Sequence, residues 1–185
     1  MQTTEDIKTL IQEDKWMMDI LKATRQLELP DCWICAGFVR SKIWDTLHGY
    51  VERTPLEDID VIYFDANNKE ESEEKKWEDQ LLKLMPTIPW SVKNQARMHK
   101  INNLPPYQSS EEGIANFPET VTAIGVKLDK QNKIELVAPY GIADILQLTV
   151  NPVPRFAANK DLLKVYEQRI QRKNWLSVWP NIRIR

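Results

Sequence analysis

The stretch Leu56-Glu57-Asp58-Ile59-Asp60-Val61-Ile62-Tyr63-Phe64-Asp65 decides the fold. Its density of Ile, Val, Tyr and Phe predicts a β-strand. Side chains alternate faces along a strand, so Asp58 and Asp60 point the same way, roughly 6–7 Å apart along the chain. Two carboxylates so placed repel each other unless a cation lies between them, and a divalent metal is the usual answer. The triplet alone is common at strand starts and turns, so its meaning depends on what flanks it.

Upstream, Pro30-Asp31 breaks the chain and Cys32-Trp33-Ile34-Cys35-Ala36 forms a short apolar run that predicts a strand. Gly37 follows, then a helix from Phe38 to about Leu47 with Val39, Ile43 and Leu47 on one face. A strand entering a helix through glycine suits a phosphate site, because N–H groups at the helix start face an anion. Arg40, in the first helical turn, adds a charged donor. The plainer alternative is a tight turn at Gly37 and a solvated Arg40.

Downstream, a helix is expected from the polar run 67–74 to about Met85, with Trp77, Leu81 and Leu84 turned inward. The Glu70, Glu71, Glu73, Glu74 run suits the positive end of the helix dipole and predicts a solvated face. Ile88 to Asn94 predicts the next strand, and 121–128 with 133–138 a hairpin. A long amphipathic helix is expected over 4–28, capped by Thr4, a short one over 141–147 and a last one over 159–173. Trp175 and Trp179 are expected to dock the tail on the core.

The 185 residues predict one domain, its core over about 29–154 with the first and last helices packed on it. A net charge of −2 and an isoelectric point near 5.8 exclude attachment to nucleic acid or membrane by bulk charge. No run of about 18 apolar residues is present, and the N-terminus lacks a basic segment followed by an apolar one. These features predict a cytoplasmic protein. Cys32 and Cys35 lie in a strand rather than at a helix start, and His48 and His99 are the only histidines, so buried reduced cysteines are expected rather than a redox or zinc pair.

The order strand, Gly, helix, D-x-D strand, helix, strand resembles the nucleotidyltransferase fold of the DNA polymerase beta superfamily. More closely, Ala36-Gly37-Phe38-Val39-Arg40, Trp44-Asp45, Leu47-His48-Gly49, the acidic stretch, 90–99 and Ala138-Pro139-Tyr140-Gly141 resemble a bacterial nucleotidyltransferase-like family, most of whose members have no established activity. The resemblance implies an α/β (α+β) fold: a mixed central sheet flanked by helices, with helical additions at both ends. It implies transfer of a nucleotidyl group from a nucleoside triphosphate to an acceptor that is a small molecule, a protein or an RNA. Asp58 and Asp60 match the family's metal-holding acidic pair, for Mg²⁺ or Mn²⁺. Gly37, Phe38, Arg40, Lys93 and Asn94 fall at nucleotide-contacting positions, and Arg97 and His99 are candidates for acceptor or phosphate contacts. Glu135 is the best charged candidate for a third acid. Two other readings stand beside this one: an inactive binding or regulatory module of the same fold, and a metal-dependent phosphoesterase.

Overall fold

The acidic stretch forms the second strand of a five-stranded mixed sheet in the computed structural model, which describes residues 1–185. In chain order the first elements are α1 (Thr4–Gln12), α2 (Lys15–Arg25), β1 (Trp33–Cys35), α3 (Gly37–Leu47), β2 (Ile59–Tyr63), α4 (Glu71–Leu84), β3 (Trp90–Asn94) and α5 (Gln95–Met98). After a 3₁₀ turn (His99–Asn102) come α6 (Ser110–Ala115), β4 (Gly125–Leu128), β5 (Ile134–Val137), α7 (Ala143–Leu146) and β6 (Thr149–Val150). The last are α8 (Pro154–Ala157), α9 (Lys160–Arg172), α10 (Trp175–Val178) and β7 (Arg183–Ile184).

The strand order is β3-β2-β1-β4-β5, with β2 and β3 parallel and the other pairs antiparallel. Period-two alternation divides β2 cleanly. Ile59, Val61 and Tyr63 are buried on one face, where α1, α2 and α4 supply apolar partners such as Ile7, Leu21 and Leu81. Asp60 and Ile62 point to the other face. Cross-strand register puts Asp60 beside Cys35, Cys35 beside Gly125, and Gly125 beside Val137. A Cβ on Gly125 would meet Ile114 at 3.0 Å, so α6 lies on this second face and needs a glycine beneath it.

Four expectations are corrected. The long helix over 4–28 is two helices, because the Asp14 carboxylate caps α2 through the Met17 N–H and gathers Lys42 and Arg53 at 2.8 and 2.7 Å. Thr3, not Thr4, caps α1, in a reciprocal capping box with Asp6. Leu84 is exposed. Glu74 does not sit on a solvated face: it is fully buried, accepts from the Asn94 N–H at 2.8 Å, and binds Arg97 through two 2.6 Å hydrogen bonds. One turn on, Glu78 accepts from the Val92 N–H at 3.0 Å. The two glutamates thus satisfy the outward N–H groups of edge strand β3, which would otherwise be left unpaired.

The tail docks as expected. Trp175 and Trp179 pack edge-on against Trp44 of α3, with ring centroids 5.5 and 5.2 Å away. Asp45, buried on the same helix, accepts from Trp179 Nε1 at 2.8 Å and from the Thr54 N–H and hydroxyl at 2.9 and 2.6 Å. One carboxylate therefore fixes both the tail and the link that leads into Asp58. Both cysteines are free, and burial pushes the Cys32 thiol up to about 12 and Cys35 well above its usual value. Neither thiol is poised for redox chemistry. No helix is long and apolar enough to cross a membrane.

Candidate functional site

The turn from β1 into α3 is made by Ala36, whose φ of 54° lies in a region that favours glycine. It is held there by bonds from its own N–H to the Ile124 carbonyl and from the Val39 and Arg40 N–H groups to its carbonyl. No side chain caps α3, so the Gly37 and Phe38 N–H groups are left facing outward as anion donors. The Phe38 side chain is buried against Trp16 with centroids 6.0 Å apart, so it does not obstruct that approach.

These N–H groups open on a cavity of about 150 Å³ lined by Gly37, Arg40, Asp58, Asp60, Arg169 and Lys173. Asp58 is exposed and Asp60 half-buried, and neither carboxylate accepts a hydrogen bond from the protein. Burial, then the Asp58 charge beside it, push the Asp60 carboxyl up to about 6, although Arg169, Arg40 and Lys173 draw it down. The pair is therefore under mutual repulsion with all its oxygens free. That donor set fits Mg²⁺, a hard cation commonly held by one or two carboxylates with waters and substrate oxygens in the remaining positions. No cluster of three His, Cys, Asp or Glu side chains is present, so two protein carboxylates are what the site offers.

Arg40 is not solvated. Its guanidinium lies over Trp175 at 4.4 Å, with Trp44 at 5.3 Å and Trp179 at 5.6 Å, and only 7% of the residue is exposed. Its single hydrogen bond goes to the Ser41 hydroxyl at 3.2 Å, and Nε has no partner. Burial lowers its pKa to about 10, which leaves it charged at neutral pH. The aromatic faces stabilise that charge, and its unused donors are available to an anion in the cavity.

Two cations that sequence reasoning missed come from α9 and the residue after it. Arg169 donates Nε to Glu119 at 2.7 Å; Glu119 is fully buried and also accepts from the Thr122 hydroxyl at 2.7 Å. Lys173 bonds Glu57 at 2.7 Å, immediately before Asp58. No local motif flags either residue, since each is more than 100 positions from the acidic stretch. The only signal was the placement of basic residues on a helix whose tail carries docking tryptophans.

The remaining candidates are not brought to the pair in the same way. Asn94 is fully buried on the opposite face of the sheet, and its amide is consumed by Asp65, Asn68 and Ala96. Arg97 and Lys93 are tied to Glu74, at 2.6 and 3.6 Å, although Lys93 also lines a second cavity reached from Asp60. The His99 Nδ1 is buried without a partner, and its ring meets Tyr107 edge-on. Glu135 pairs with Lys127 at 3.2 Å across β4 and β5, at the edge of the sheet three strands from β2. Three strand spacings put it on the order of 15 Å from Asp60, so it does not join the pair.

A pH prediction follows from Asp60. Its native pKa of about 6 lies above the unfolded carboxylate value, so its contribution to stability is present at low pH and lost as pH rises through 6. Asp60→Asn is expected to stabilise the metal-free protein by about 1–3 kcal/mol at pH 8 and by nothing measurable below pH 4. Thermal melts at the two pH values check this, and an unchanged midpoint at pH 8 would contradict it.

A nucleotidyltransferase family model matches residues 22–184. A protein solved by NMR and described as revealing a CCA-adding enzyme head domain is 35% identical, with a TM-score of 0.90 over 100% of this chain and 97% of its own. CCA-adding enzyme in an apo form and in complex with ATP is 14% identical at a TM-score of 0.58. This chain spans only 42% and 43% of those two chains, and that likeness shows the fold alone. No match was found among curated proteins.

Proposed function

The chain belongs to this nucleotidyltransferase family, and from that membership we propose that it moves a nucleotidyl group from a nucleoside triphosphate to an acceptor with the help of Mg²⁺. The observation that supports this best is the meeting of two opposite charge sets in one cavity. Asp58 and Asp60 offer unpaired oxygens to a metal, while the α3 N-terminus, Arg40, Arg169 and Lys173 offer donors to phosphate.

In this reading the Gly37 and Phe38 N–H groups and Arg40 hold the outer phosphates, with Lys173 closing the cavity from the tail. Arg169 stands beside Asp60 and faces charge that grows on the bridging oxygen as pyrophosphate leaves. Asp58 and Asp60 would hold Mg²⁺, which would supply charge neutralisation on the phosphate oxygens. Arg40 cannot swing away from its indole enclosure, so the phosphate-binding geometry exists before the ligand arrives.

The test is direct binding of nucleoside triphosphate with and without Mg²⁺. Removing the metal with chelator is expected to weaken binding on the order of tenfold or more, because four phosphate charges would then face two bare carboxylates. Equal affinity in both conditions would overturn the metal assignment. The lack of a third acid favours a second reading, a nucleotide-binding module without turnover. Pyrophosphate release in the presence of an acceptor distinguishes the two.

A further inference from the structure

The cavity at the acidic pair lies between two walls from distant parts of the chain. One is the turn into α3 with the link Thr54–Asp58, and the other is the end of α9 with the tail, Arg169 to Trp179. The space between them, about 150 Å³, is below the roughly 300–1,000 Å³ of most small-molecule sites. One ion pair spans the two walls: Lys173 Nζ meets Glu57 Oε2 at 2.7 Å. A ligand the size of a triphosphate calls for more room than this pair leaves.

The three cations of the cavity differ in how freely they change partner. Arg40 has no carboxylate to leave. Arg169 is bound to Glu119, which is fully buried and cannot turn to water. Lys173 is bound to Glu57, whose side chain is 81% exposed and makes no other hydrogen bond or ion pair. A pair this exposed is weak, because water takes up the released carboxylate at little cost. Nor does Glu57 serve as a third metal ligand, since no three such side chains are grouped in the molecule. Its single contact is with the cation that follows α9.

We propose that Glu57 is a displaceable stand-in for phosphate, an autoinhibitory contact that holds Lys173 across the empty cavity and yields it to an incoming triphosphate. The inference rests on the reading that this cavity takes a nucleotide's phosphates. A terminal phosphate carries about 1.5–2 negative charges at neutral pH and three acceptor oxygens, against one charge on the carboxylate. The exchange therefore runs toward the ligand, and Glu57 moves into solvent. It runs backward when pyrophosphate departs, because Glu57 takes Lys173 back and no bare cation is left behind. The same carboxylate thus weakens the hold on the substrate and on the leaving group.

The experiment is calorimetric titration of the full-length protein with inorganic triphosphate and Mg²⁺ at low salt. Four proteins are compared: unaltered, Glu57→Gln, Lys173→Met, and the two changes together. Glu57→Gln is expected to bind about three- to fivefold more tightly, the gain from freeing an exposed cation of its partner. Lys173→Met is expected to bind about tenfold more weakly, having lost a charged donor. In the Lys173→Met background the gain from Glu57→Gln is expected to shrink below about twofold, since no lysine is left to free. A Glu57→Gln variant that binds no more tightly than the unaltered protein overturns the proposal. So does a gain that is undiminished without Lys173, because Glu57 would then act by repelling phosphate through space. If none of the four proteins binds triphosphate with Mg²⁺, the proposed function falls and this inference with it. Binding by the unaltered protein without the Glu57 effect removes this inference alone.

Discussion

Replacing Asp58 and Asp60 together by asparagine is expected to abolish Mg²⁺-supported nucleotide binding and to lower any turnover on the order of a thousandfold or more. Asparagine keeps the size of each side chain and an oxygen acceptor, but removes both charges proposed to hold the metal. The loss should not come from unfolding. Neither carboxylate accepts a hydrogen bond from the protein, and Asp60 is ionised at neutral pH against the cost of burial and the neighbouring Asp58 charge. The double variant is therefore expected to melt at or above the temperature of the unaltered protein. Calorimetric titration with nucleoside triphosphate, paired with a thermal melt, separates the two effects. Retained affinity in a folded double variant would remove the acidic pair from the site.

The second large effect is expected at Glu119. This carboxylate is fully buried and holds Arg169, which itself borders both cavities beside Asp60. Glu119→Gln leaves without its counter-charge an arginine whose side chain is 35% exposed, so the loss is expected to be about 1–2 kcal/mol, less than for a fully buried pair. For a chain of this size that lowers the melting midpoint by about 5 °C. Removing the arginine charge as well, in Glu119→Gln with Arg169→Met, is expected to recover much of the loss, because no uncompensated charge remains. Nucleotide affinity should stay low in the double variant, since the arginine is gone. Denaturant melts of the four members of the cycle measure the coupling, and additive losses would mean that the pair does not act as one unit.

The parts of the site that were legible in the sequence are those encoded locally. The apolar run around Asp58 and Asp60, the glycine that opens α3 and the tryptophans that dock the tail each carry their signal within a few residues. What was not legible depends on which segments meet. Glu74 looks like one member of an acidic helix start, and only the approach of β3 turns it into a buried acceptor for Asn94 and Arg97. Asn94 sits at a promising position on β3 but falls on the wrong face. Glu135 lies on the same face as Asp60 but three strands away, a separation that becomes visible only when the strand order is known. Arg40 was placed correctly at the first turn of α3, yet its burial depends on two tryptophans more than 130 residues later. Register, face and long-range pairing are set by the assembled sheet, so no local pattern carries them.

The tail has a consequence for the order in which the molecule comes together. The sheet itself joins β1 to β4 across 92 positions, Ile34 with Val126, and the tail reaches further still: the Lys173–Glu57 contact spans 116 positions and the Trp179–Asp45 contact 134. Contacts that close such long loops form late, after the segments they join have taken shape. A chain with its sheet complete and its tail undocked would present Asp58 and Asp60 without Lys173 and Arg169, and Arg40 without the indoles that enclose it. In refolding, protection of the core amides would then appear before nucleotide is captured, and the lag between the two would measure how long the tail takes to find its seat.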